Sequence, residues 1–137
     1  MTYEVIAALP SIDDYCRLRE VSGLSPRARA AAERGLPRSL FSVVIRSGPH
    51  TVGMGRVVGD GGCNFEVVDI AVDPDHQGRG LGRMLMDRIA EYLREEVPDS
   101  GFVSLLADGE SHHLYAKYGF EFTACRGMSL SEGCGCG

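Results

Sequence analysis

Val72-Asp73-Pro74-Asp75-His76-Gln77-Gly78-Arg79-Gly80-Leu81-Gly82-Arg83 links an apolar, β-branched run to an amphipathic one. Gly78, Gly80 and Gly82 alternate with larger residues, which leaves backbone N–H groups uncovered by side chains. Such groups at a helix start form an anion nest, and the helix dipole adds to the attraction. Arg79 and Arg83 supply countercharge. A phosphate or pyrophosphate fits that chemistry. Two other phosphate loops are excluded. The G-x-x-x-x-G-K-[ST] loop needs a Lys after its glycines, and none follows here. The dinucleotide fingerprint needs a third Gly, and Arg83 or Leu85 stands at that position.

A second candidate is Asp69, a carboxylate inside the apolar run Val67 to Val72. A buried Asp costs several kcal/mol unless it is paired or functional. It is either the partner of a buried Arg or of backbone N–H groups, or a group that handles a proton or an ammonium. Glu66 falls on the opposite face by strand parity. Tyr115 is either a core aromatic with a solvated hydroxyl or a proton donor. His112 and His113 precede it on the same short helical stretch, as cleft residues or as solvated ones.

The elements that must position these groups read as follows. Thr2 to Leu9 is an opening strand, stopped by Pro10. Ser11 caps a helix through about Val21, and Ser25-Pro26 opens a second one that Gly35 and Pro37 end. Leu40 to Arg46 and Thr51 to Val58 form a hairpin about Ser47-Gly48-Pro49-His50. Cys63 to Val72 is apolar on both faces, so it sits centrally in its sheet. A long helix spans about Gly80 to Glu96, with Leu81, Leu85, Ile89, Tyr92 and Leu93 on one stripe. Phe102 to Ala107 is a further strand, Glu110 to Tyr118 a short helix, and Phe120 to Ala124 and Gly127 to Leu130 two final strands. The order is that of an α/β domain with a mixed sheet, antiparallel at first and joined later by helical crossovers.

The chain has 137 residues and a net charge of −5, with 44% hydrophobic and 24% charged residues. That is the length of one domain, expected over residues 1–131, followed by a disordered Gly/Cys tail over 132–137. An acidic balance argues against broad nucleic-acid binding. No apolar run approaches the ~20 residues of a membrane helix, and no basic start followed by an apolar stretch marks an export signal. A cytoplasmic location is the expectation. The five cysteines are an odd count without finger-like spacing, so neither a disulfide framework nor a metal site is expected, the tail pair Cys134 and Cys136 included.

The motifs resemble the GNAT superfamily of acetyl-CoA-dependent N-acetyltransferases. Its hallmark [QR]-x-x-G-x-[GA] is matched by Gln77-Gly78-Arg79-Gly80-Leu81-Gly82 at every fixed position. Ile70-Ala71-Val72-Asp73-Pro74 looks like the family's central strand, and Leu114-Tyr115-Ala116-Lys117-Tyr118-Gly119-Phe120 like its second landmark. The resemblance spans Leu40 to Leu130. It implies a sheet of about seven strands with a splayed parallel pair at its centre, flanked by about four helices.

The resemblance also implies roles. Acetyl-CoA is the cosubstrate. Gln77, Gly78, Arg79, Gly80, Leu81, Gly82 and Arg83 would hold its pyrophosphate, and Ile70, Ala71 and Val72 would pair with its pantetheine arm as an added strand. A strand N–H near Ala71 or Val72 would hold the oxyanion, Tyr115 would protonate the leaving thiolate, and Asp69 would take the amine proton or attract the ammonium. An amine of pKa ~10.4 is almost wholly protonated at pH 7, and freeing its lone pair costs roughly 4–5 kcal/mol. The N-terminal helices and the loop to Ser39 would build the acceptor pocket, with Arg29, Arg38 and Phe41 as its lining. The reading is direct transfer to a small-molecule primary amine in a ternary complex, without a metal, in a chain that could pair as a homodimer. The alternatives are a protein or peptide N-acetyltransferase and a non-catalytic coenzyme A-binding module.

Overall fold

A computed structural model describes residues 2–130. Five strands form one sheet in sequence order: β1 (Glu4–Ile6), β2 (Phe41–Ser47), β3 (His50–Gly59), β4 (Asn64–Val72) and β5 (Phe102–Leu105). The first four pair antiparallel, and β4 pairs with β5 in parallel. Four α-helices accompany them: α1 (Ile12–Val21), α2 (Arg29–Gly35), α3 (Leu81–Glu96) and α4 (His112–Ala116). None of these helices is long and apolar enough to cross a membrane.

The sheet carries a hydrophobic layer on each face. On one, Leu81, Leu85, Met86 and Ile89 of α3 pack against Val43, Ile45, Val57, Phe65 and Val67. Each of those α3 side chains is at most 2% exposed, and full burial of such a group is worth ~1.5–3 kcal/mol. On the other, Tyr15 and Leu18 of α1 and Ala32 of α2 cover Val44, Met54 and Ala71.

Three expectations are corrected. The sheet has five strands among the described residues rather than about seven. Residues 120–124 and 127–130 alternate like strands, but they form no ladder. A strand needs a partner for its backbone groups. Here the Cys125 N–H turns back to Thr123 Oγ1, and Phe122, Met128 and Leu130 are at least 81% exposed. The second helix starts at Arg29 rather than at Pro26. Ser25 does not cap it, because its hydroxyl accepts from the guanidiniums of Arg19 and Arg27 and its carbonyl accepts from Arg19 Nε. The Ser11 cap stands as expected, accepting from the Asp14 N–H at 3.1 Å. The tail cysteines Cys134 and Cys136 lie outside the described residues.

Candidate active site

The loop from β4 to α3 needs its glycines for two different reasons. Gly78 and Gly80 have φ of +79° and +80°, a left-handed backbone that strains any residue with a Cβ. Gly82 is an ordinary helical residue, but a Cβ there would meet Leu114 Cδ2 at 3.1 Å. The α3 N-terminus has no side-chain cap and no acidic residue in its first turn. Its first N–H groups and dipole are therefore offered outward, beside the exposed Arg79 and Arg83. Gln77 Nε2 donates to the Val72 carbonyl, and Arg79 donates to the Tyr3 hydroxyl, which also meets His76 Nδ1. Replacing Gly80 by Ala meets no neighbour within 4 Å, so its cost is conformational. Denaturant unfolding should show a loss of about 1–2 kcal/mol. An unchanged midpoint would remove the left-handed loop from the account.

The strand before this loop is bent. Ala71 pairs with Met54 and Val68 with Arg56, so Asp69 and Ile70 together oppose the single residue Gly55. This is a β-bulge, and Asp69 sits in it at φ +59°. Its side chain is held from three directions. Arg19 Nη1 donates to Oδ1 at 2.5 Å; Arg56 Nε (2.7 Å) and the Tyr15 hydroxyl (3.1 Å) donate to Oδ2. Arg19 is fully buried and Asp69 is 2% exposed. Burial and the Asp69 charge push the Tyr15 hydroxyl above its ordinary pKa, so it stays a donor at neutral pH. Both carboxylate oxygens are thus occupied by donors from α1 and β3.

Beyond Val67 and Leu105 the parallel pairing of β4 and β5 stops. The strands part around a cavity of about 200 Å³, lined by Val67 to Ile70, Leu105 and Leu106, by Ser22 and Leu24 after α1, and by Asp108, Ser111 and Tyr115. Strand alternation decides which amides face it. The Asp73 N–H bonds the Val52 carbonyl, so Ala71 also turns its N–H toward β3. Val72, and Ile70 by the same alternation, turn theirs to the open side.

Tyr115 is 9% exposed and projects from α4 into this cavity lining. Burial pushes its hydroxyl above the ordinary value, and the Asp108 charge adds to the rise. The Ser111 Oγ is buried with no hydrogen-bond partner among the described residues. Tyr118, by contrast, donates to Asp87 and the Arg83 carbonyl, and its hydroxyl is pushed up to about 12 by burial and Asp87.

The structure therefore brings Tyr115, Ile70 and Asp69 to one cavity and Gly78 to Arg83 to the adjoining helix start. It does not bring in the expected acceptor lining. Arg29 is paired with Asp13, Phe41 stacks on Tyr92 at 4.8 Å, and neither they nor Arg38 line the cavity. His112 and His113 also lie outside its lining. Glu66 shares the α1 face with Asp69, because the bulge shifts the parity between them. Asp108, Ser111, Ser22 and Leu24 were not foreseen. Asp108-Gly109 is a turn signal at a strand end, the kind of place where site residues gather.

The "Acetyltransferase (GNAT) domain" family profile matches residues 38–122. The chain is similar to Staphylococcus aureus SA2161, a "Probable Acetyltransferase" of unknown function, with 42% identity, a TM-score of 0.91, and 95% of this chain and 99% of that chain covered. It is 33% identical to rice "Serotonin N-acetyltransferase 2, chloroplastic" over 106 residues, 76% of this chain and 52% of that protein. It is 36% identical to soybean "Histone acetyltransferase TAP1" over 70 residues, 51% of this chain and 29% of that protein. The chain thus spans less than two thirds of the length of these curated plant relatives.

Proposed function

Because the chain belongs to the GNAT acetyltransferase family, whose members use acetyl-CoA, we propose that it transfers an acetyl group to the primary amine of a small molecule. The observation that carries this reading is the cavity of about 200 Å³ in the split between β4 and β5, with Tyr115 in its wall. A cavity that size is below the usual range for drug-sized ligands and suits a small amine.

The residues present fit coenzyme A. Left-handed Gly78 and Gly80 have open space where a Cβ would stand, and the uncapped α3 N-terminus presents donors to a diphosphate. The open-side N–H of Ile70 and Val72 suit a pantetheine arm laid along β4 as a strand. When bound, the cosubstrate supplies an activated acetyl thioester.

The chain's own groups then do four things. Asp108, a charged cavity residue not tied into the Arg cluster, attracts the ammonium form of the acceptor. Desolvation in the split favours the neutral, nucleophilic amine. The Val72 or Ile70 amide is aimed where carbonyl charge grows. The Tyr115 hydroxyl, kept protonated by burial, donates toward the departing sulfur. Asp69 is the positioning residue of this set, since donors from Arg19, Arg56 and Tyr15 occupy its oxygens. That revises the base role the resemblance implied for it. Among the described residues no Cys lines the cavity, which favours direct transfer in a ternary complex.

Coenzyme A at 100 times its dissociation constant should raise the unfolding free energy by about 2.7 kcal/mol. An amine panel scored by release of free thiol then tests turnover. No stabilisation would overturn the reading; stabilisation without turnover on any amine would favour a coenzyme A-binding module. The soybean relative favours a protein acceptor as the second reading, and acetylation of intact histones in preference to small amines would select it.

A further inference from the structure

We propose that Glu110, His112 and His113 form a binding site for a divalent transition metal of the zinc class, on the turn that carries Ser111. It is separate from the acetyl-transfer reading and does not depend on it. The three ligand atoms lie within 4.8 Å of one another. Glu110 Oε2 is 2.8 Å from His113 Nε2 and 4.0 Å from His112 Nε2. Tetrahedral bonds of ~2.0–2.1 Å hold ligand atoms about 3.3 Å apart, so the observed separations bracket what one ion requires.

The tautomer supports the same reading. His112 Nδ1 lies 3.4 Å from the Gly109 carbonyl, which can only accept. The proton therefore belongs on Nδ1, and in the neutral ring Nε2 presents a lone pair toward a carboxylate. His113 Nε2 donates to the same carboxylate at 2.8 Å, a hydrogen bond that an incoming ion would replace. A backbone carbonyl behind the distal ring nitrogen is also how metal-binding imidazoles are commonly oriented. The two rings lie 4.1 Å apart at 38°, close enough for one ion to reach both. Imidazole donors select zinc-class ions over calcium or magnesium.

Three protein ligands leave at least one position for water. Glu110 and His113 are 84% and 71% exposed at their side chains, so they can close on an ion at little packing cost. A bound ion would tie the Gly109 turn to the start of α4. That restrains Ser111, which sits between the ligands, and Tyr115 one turn further on.

The test titrates Zn(II) into the full chain by calorimetry and Co(II) by visible absorption. It uses the wild type, a Cys134→Ser/Cys136→Ser variant, His112→Ala and Glu110→Gln. Unchanged thermal unfolding in the metal-free state shows that each variant folds. One equivalent should bind in the wild type and in the tail variant, with cobalt d–d bands and no sulfur charge-transfer band. Affinity should fall by about tenfold or more in His112→Ala and in Glu110→Gln. Absence of binding in the wild type, binding abolished by the cysteine changes, or affinity indifferent to His112→Ala would each overturn the site.

Discussion

Replacing Tyr115 by Phe should lower kcat by about 10²–10³-fold, the range for loss of one hydrogen-bond donor to developing charge, while leaving the affinity for coenzyme A nearly unchanged. The reason lies in one oxygen. The ring is 9% exposed and packs edge-on against Phe120, so Phe keeps the shape and removes only the hydroxyl. That hydroxyl has its pKa raised by burial, so it remains proton-bearing across neutral pH. A thiol titrates near ~8.5, below an ordinary tyrosine near ~10. Full transfer of the proton to sulfur is therefore uphill, and the hydroxyl acts by hydrogen bonding as charge develops. Stopped-flow turnover and a separate coenzyme A titration check the split between kcat and binding. A rate equal to that of the wild type would remove Tyr115 from the chemistry.

Asp69→Asn should destabilise the protein by about 3–5 kcal/mol, the cost of breaking a buried ion pair by removing one partner. That is a large part of the ~5–15 kcal/mol typical of a whole domain. Asn is close in shape and tolerates positive φ, so the backbone at +59° is not the source of the loss. The loss comes from two guanidiniums, one of them fully buried, left facing a neutral amide. Urea unfolding measures it. The same variant, assayed where it remains folded, separates positioning from base catalysis. A positioning role leaves the acid limb of the pH–rate profile in place, and a base role removes it. A stable variant that lost the limb would reinstate Asp69 as the base.

The residues that carry local chemistry were legible before any coordinates. Gly78, Gly80 and Gly82 mark uncovered backbone N–H groups at a helix start, and the α3 stripe is periodic enough to predict its buried face. Asp69 was visible as an anomaly, a carboxylate among β-branched residues. Its partners were not. Arg19 lies 50 positions away on a helix where an arginine reads as solvated, and Arg56 sits in what looks like an ordinary hairpin strand. The bulge was illegible for a related reason. It depends on how many residues of β4 oppose Gly55, a count between two strands that neither one states alone. The final strands failed differently. Their alternation is real, but pairing requires an adjacent backbone, and residues 120–130 lie largely exposed instead.

The two-against-one count opposite Gly55 makes β4 a ruler as well as a scaffold. Deleting Asp69 would even the count, with Ile70 opposite Gly55 and Ala71 still opposite Met54. Ala71 would keep its layer beneath α1 and the Val72 amide its open side, but Arg19 and Arg56 would lose the carboxylate that the bulge presents to them. A change of one aliphatic residue for another leaves that tally alone. Chimaeras spliced from related sequences should therefore keep residues 64–72 and their β3 partners from one parent, because a mismatch in length breaks what a mismatch in side chain does not.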